Sequence, residues 1–140
     1  MPDITALARQ IFAAQPFTAL LGAELTGIGE DWAEISVTMR TALEQQHGYA
    51  HGGVVCYLAD NALTFAGGMS LGGDALTAEF KINYVRPATG ERLVARAKAL
   101  SVGRRQAVCQ CLIYSCDGDE EVLVAVAQGT ITGKAPRTDG

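Results

Sequence analysis

His51-Gly52-Gly53-Val54-Val55-Cys56-Tyr57-Leu58-Ala59-Asp60-Asn61-Ala62-Leu63-Thr64-Phe65-Ala66-Gly67-Gly68 decides the fold, because from Val54 onward it is apolar on nearly every side of a helical wheel. A helix without a polar face is one that neighbouring elements cover all round. The apolar window from Gly48 to Gly73 is long enough to pose the question of a membrane span. Asp60 and Asn61 fall at its centre, where a charge costs about 3 kcal/mol, and glycines interrupt both ends. The expectation is a buried helix of a soluble protein, from Val54 to about Met69, with Gly67-Gly68 and Gly72-Gly73 closing it.

Outward from this helix the pattern changes period. Upstream, Ile4, Leu7, Ala8 and Ile11 have the spacing of a short amphipathic helix, capped by Asp3 or Thr5 and ended at Gln15-Pro16. Phe17 to Leu21 adds a short turn. Glu24 to about Ile28 reads as a strand, Gly29-Glu30-Asp31 as a turn, and Ala33, Ile35, Val37 and Met39 as the inner face of a second strand. Downstream, Leu76, Ala78, Phe80, Ile82 and Tyr84 alternate with Thr77, Glu79, Lys81 and Asn83 up to Pro87. Three further strands follow, around Leu93–Ala99, Ala107–Tyr114 and Val122–Ile131, and 134–140 is a polar, loose tail. One helix on an antiparallel sheet satisfies this order within a single domain over 1–140, whose N-terminal helix lies within 1–16.

At 140 residues the chain is large enough for a core of its own, and 49% hydrophobic against 19% charged leaves its surface lean in charge, as in an oligomer. A net charge of -4 argues against nucleic acid as a partner. Met1-Pro2-Asp3 is not the start of a signal peptide, so a cytoplasmic location is expected, with no membrane association. Cys56, Cys109, Cys111 and Cys116 form no CxxC pair and have no His cluster at zinc spacing, so reduced thiols and no metal are expected. His47 and His51 are separated by glycines that spoil a helical metal pair, and neither a phosphate loop nor a Gly-x-Ser-x-Gly elbow occurs.

Between Glu44 and Asp74 the single formal charge is Asp60. Burying a carboxylate is costly, so it is either a general base or nucleophile in a cleft, or a structural carboxylate paired with backbone or with an arginine of the sheet. Ahead of it, Gly52-Gly53 opens the helix, where unpaired amides lie at the positive end of the dipole and glycine admits a carbonyl close to the backbone. The same pair also simply turns the chain.

The stretch Gln45 to Asp60 resembles the signature of the PaaI-type hot-dog acyl-CoA thioesterases, and Leu76-Thr77-Ala78-Glu79-Phe80-Lys81-Ile82-Asn83-Tyr84-Val85-Arg86-Pro87-Ala88 resembles the strand that follows it there. The likeness runs from about Leu21 to Ile131. It implies an α+β hot-dog fold, with a long central helix wrapped by a curved, mainly antiparallel sheet of about six strands. It also implies acyl-CoA hydrolysis across the interface of a homodimer, often paired into a homotetramer, without a cofactor beyond the CoA of the substrate. By the resemblance, Asp60 is the catalytic carboxylate, Gly52 the amide that binds the thioester oxygen from the partner subunit, and His51 the support of that turn. Thr77 falls where a hydroxyl positions water. Gln45 stands where many members have Asn, either binding water or serving as a loop residue. Gly53 accompanies Gly52 in substrate binding, and Arg86, Arg104 and Arg105 lie at loops that receive the nucleotide, as well as being ordinary exposed turn arginines. The acyl pocket is expected among Tyr57, Leu63, Thr64, Phe65 and Met69, with the acyl class open. Two other activities suit the same fold: an acyl-thioester hydratase or dehydratase, and a non-catalytic acyl-CoA sensor.

Overall fold

The computed structural model describes residues 3–134. Asp3 caps α1 (Ile4–Ala13) by accepting the Thr5 amide, and Pro16 at the first position of α2 (Pro16–Leu21) turns the expected short turn into a helix that stops at Gly22. Strands β1 (Ala23–Ile28) and β2 (Trp32–Thr38) form a hairpin, followed by the long helix α3 (Gly52–Leu71). Strands β3 (Ala75–Tyr84), β4 (Arg92–Val102), β5 (Gln106–Asp117) and β6 (Glu120–Gly133) complete the chain. The six strands form one open, wholly antiparallel sheet in the order β1-β2-β4-β5-β6-β3, and α3 lies across β2 to β6. This is the hot-dog arrangement. The expected tail falls at 135–140 outside the described residues, apart from Lys134.

The register explains why the helix sits so close to the sheet. Ala33, Ala97, Cys111 and Ala127 form one continuous row across four strands, all of them buried. Small side chains there leave room for Leu58, Ala59, Ala62, Leu63 and Ala66 of α3, none of which is exposed. Burial pushes the Cys109 and Cys111 thiols up to about 11 and about 12, so both act as small core residues. Among the described residues α3 is the one helix long and apolar enough to cross a bilayer, and its apolar side chains are largely spent on this core.

The helix does not close at Gly67-Gly68. It runs through them to Gly72, whose φ of 80° makes the left-handed cap. Gly67 is inside because of Ile131: a Cβ added at Gly67 would lie 2.5 Å from the Ile131 Cβ. Helix propensity alone predicts that Gly67→Ala stabilises by about 1 kcal/mol. The contact reverses the sign, since overpacking a core costs about 1–3 kcal/mol. Thermal denaturation of Gly67→Ala is therefore expected to show a lower Tm; a raised one would mean that α3 can lift from β6 without loss.

Candidate active site

Asp60 is half-buried on the one side of α3 that the sheet and α1 leave open, a stripe of Gly53, Cys56, Asp60 and Thr64 at helical spacing. Thr77 Oγ1 donates to Asp60 Oδ1 at 2.6 Å. Thr64 Oγ1 lies 2.8 Å from both the Asp60 carbonyl oxygen and Thr77 Oγ1. Each hydroxyl has one hydrogen, so Thr77 spends its own on the carboxylate while Thr64 divides its own between those two acceptors. Asp60 Oδ2 has no protein donor among the described residues. The ion pairs there join Arg96 to Glu34 and Glu121, and Lys134 to Asp74. No sheet arginine pairs with Asp60 among the described residues, and Arg96 is held by its own carboxylates, Glu34 and Glu121.

Thr77 reaches Asp60 because β3 is not a regular strand. Thr77 pairs with Ile131 and Glu79 with Thr130, so Ala78 is an extra residue with no partner. This bulge changes the phase of the strand: Ala75 and Thr77 face the helix before it, Phe80 and Ile82 after it, while Leu76 is 64% exposed. Strict alternation put Thr77 on the face opposite Phe80; the bulge corrects that.

At the N-terminus of α3, His51 is the cap, and its Nδ1 accepts the Gly53 amide at 2.8 Å. In the neutral ring the proton is therefore on Nε2. Gly53 consequently offers no amide to a ligand. The Gly52 amide has no acceptor among the described residues, while the Gly52 carbonyl accepts the Tyr84 hydroxyl at 3.1 Å. Tyr84 was missed as a site residue. Its register was the available signal, since it lies in the helix-facing row with Ile35, Ala95, Ile113 and Ala125. Gln45 Oε1 accepts the amides of His47 and Tyr49, which closes the loop and leaves its Nε2 without a protein acceptor among the described residues. Gln45, Gly52, Tyr84 and Arg86 line one cleft.

Arg104 and Arg105 are elsewhere, with Lys134 around the C-terminal end of α3. A helix of 20 residues separates that end from Arg86, about 30 Å, so within one chain these arginines cannot hold the same phosphate. Of the expected pocket residues, Thr64, Phe65 and Met69 line a groove between α1 and α3. Leu63 is fully buried and faces the core instead. The Tyr57 hydroxyl is held by Thr18 at 2.6 Å and Asn61 at 3.0 Å, which ties it to α2.

Similarity to known proteins agrees with the fold. Residues 47–122 match the thioesterase superfamily. A solved thioesterase family protein from Silicibacter pomeroyi is 34% identical, covers 93% of this chain and 97% of its own, and superposes with a TM-score of 0.88. The PaaI protein of E. coli, from the phenylacetic acid degradation operon, shares the fold at 22% identity and a TM-score of 0.80, over 91% of both chains. A Listeria monocytogenes relative, 1,4-dihydroxy-2-naphthoyl-CoA hydrolase, is 24% identical over 84% of this chain and 94% of its own. The chain belongs to the thioesterase superfamily, and its likeness is to the PaaI-type hot-dog members.

Proposed function

We propose that the chain hydrolyses acyl-CoA thioesters to the free acid and CoA at sites shared by two copies. The observation that carries this reading is Asp60, a half-buried carboxylate bonded to Thr77 at 2.6 Å with one oxygen open and no cation beside it among the described residues. Such a group is unfavourable for stability and well suited to take a proton or attack carbon. In one route Asp60 removes a proton from water as the water oxygen bonds to the acyl carbon. In the other, the carboxylate itself bonds to that carbon, and water later cleaves the anhydride. Either way the carbonyl oxygen gains negative charge, which the unpaired Gly52 amide at the positive end of α3 stabilises. The C–S bond then breaks. In the first route the CoA thiolate takes the proton that Asp60 received from water. In the second it leaves as the thiolate and takes a proton from solvent, after which water cleaves the Asp60 anhydride to the free acid and the regenerated carboxylate.

The two halves of this site come from different chains. Gly52 and Asp60 are eight residues apart on one helix, about 12 Å, too far to flank one carbonyl. The edge strand β3 and the residue after it, with Leu76, Tyr84 and Val85 exposed beside the open stripe of α3, form the surface on which a second copy would bring its Gly52 to this Asp60. A homodimer is the minimum assembly, and a pair of dimers the larger one. Arg86 from one copy, or Arg104 and Arg105 from the other, would hold the phosphates of CoA. The cytoplasm, which keeps thiols reduced, suits both the substrate and the four free cysteines. The Listeria relative, named for a CoA thioester, supports CoA as the carrier.

The test is the product formed from acyl-CoA. Free thiol and free acid in equal amounts, without an enoyl product, are expected. Enoyl formation would instead favour the hydratase reading, and tight binding without turnover at any pH the sensor.

A further inference from the structure

The groove between α1 and α3 adjoins the candidate site at one residue. Thr64, whose hydroxyl touches both the Asp60 carbonyl and Thr77, is part of its wall. From there it runs under Leu7 and Ile11 of α1, over Phe65 and Met69 of α3, and past Leu76, with a volume of about 250 Å³. We infer that this groove holds the acyl chain, and that α1 makes the enzyme selective for plain saturated chains of medium length; the inference rests on the thioesterase reading.

Continuity places the chain. An acyl carbon beside Asp60 has its α-carbon next to Thr64, and the apolar path leads from there toward the C-terminal end of α3. The chemistry of the walls selects the class. The polar side chains inside the groove, Gln15 and Thr64, are engaged with protein partners. The Gln15 amide exchanges hydrogen bonds with Asn61 at 3.0 and 3.4 Å and accepts the Thr18 hydroxyl. The Gly68 carbonyl receives the amides of Gly72 and Gly73. Asp74, at the rim, accepts the Ala75 amide and faces Lys134. A ring hydroxyl buried inside the groove, away from the Asp74 rim, would have to compete for groups already hydrogen-bonded, which is costly, whereas a methylene chain needs no partner.

Size sets the length. A cavity of about 150 Å³ holds benzene, so one of 250 Å³ takes a hydrocarbon of about eight to ten carbons. The walls also have something to gain: Leu7 is 44% and Ile11 37% exposed beside the groove, and an acyl tail would cover both.

The experiment measures kcat/KM for saturated acyl-CoAs from acetyl to palmitoyl, with the wild type and with Leu7→Trp and Ile11→Trp, alongside 1,4-dihydroxy-2-naphthoyl-CoA. For the wild type, kcat/KM is expected to rise by up to about fourfold per methylene as far as about ten carbons and then level off. In either Trp variant the indole occupies the far part of the groove, and the ratio of octanoyl-CoA to acetyl-CoA kcat/KM falls by about fifteenfold, the equivalent of losing two methylene contacts. The inference is overturned by a flat wild-type profile, by a preference for the dihydroxynaphthoyl substrate, by an unchanged ratio in the variants, or by variants that change the oligomer mass but not the profile, which would put a partner subunit in the groove. The wild-type profile decides by itself if neither variant folds. Failure to hydrolyse any acyl-CoA, acetyl included, would fell the thioesterase reading; every other adverse result leaves that reading standing and removes only the groove.

Discussion

Asp60→Asn is expected to lower kcat by about 10²–10⁴ while KM, assembly and fold stay as they are. The substitution is close to isosteric, and the Asn carbonyl can still accept the Thr77 hydroxyl that now donates at 2.6 Å. The new amide nitrogen takes the place of Oδ2, which has no protein donor among the described residues, so no existing hydrogen bond is broken. Because the ion pairs there engage other carboxylates, no cation is orphaned when the charge is removed. A structural carboxylate would behave in the opposite way, since removing one partner of a buried network is strongly destabilising. The distinguishing measurement is therefore a pair: turnover of an acyl-CoA, and Tm. Lost turnover at an equal or raised Tm is the expected outcome, in keeping with the stability that active sites forgo. Retained turnover removes Asp60 from the chemistry, and a fall in Tm of several degrees makes it a scaffold residue.

What the sequence made legible was whatever depends on local pattern. The apolar wheel of α3 announced a covered helix, and two-residue alternation located the strands of the sheet. The errors arose where a distant residue sets the local geometry. Glycine is unfavourable inside a helix, so Gly67-Gly68 read as a stop; the reason for Gly67 is Ile131, far along the chain. The alternation alone put Thr77 on the face opposite Phe80, although the resemblance placed its hydroxyl at the site, because a bulge leaves the amino-acid alternation unchanged while shifting the face that each residue presents. Tyr84 had the right phase but no visible role, since its acceptor, the Gly52 carbonyl, is brought to it only by the packing of α3 on the sheet. The Gly52-Gly53 pair read either as a candidate donor site or as a plain turn into the helix. Only the His51 side chain, by taking the Gly53 amide, shows which of the two remains available.

That division of labour makes Gly52→Pro the sharpest probe of the proposed carbonyl site. Proline deletes the amide hydrogen and is well tolerated at the first position of a helix. His51 already has φ -61° and ψ 137°, the extended conformation that a following proline requires. A Cβ at position 52 would meet the Tyr84 ring at 3.7 Å, an ordinary contact, and no acceptor among the described residues loses a hydrogen bond. The fold should survive, with kcat reduced by about 10²–10³, the usual cost of losing one donor to a developing oxyanion. Mixing then asks where the donor comes from. In the proposed dimer, an Asp60→Asn chain supplies an intact Gly52 and a Gly52→Pro chain an intact Asp60. After unfolding and refolding together, half of the dimers are mixed and each has one of its two sites whole, so about one quarter of wild-type activity returns. If carboxylate and amide served the same site from the same chain, every site in the mixture would carry a defect, and no activity would return.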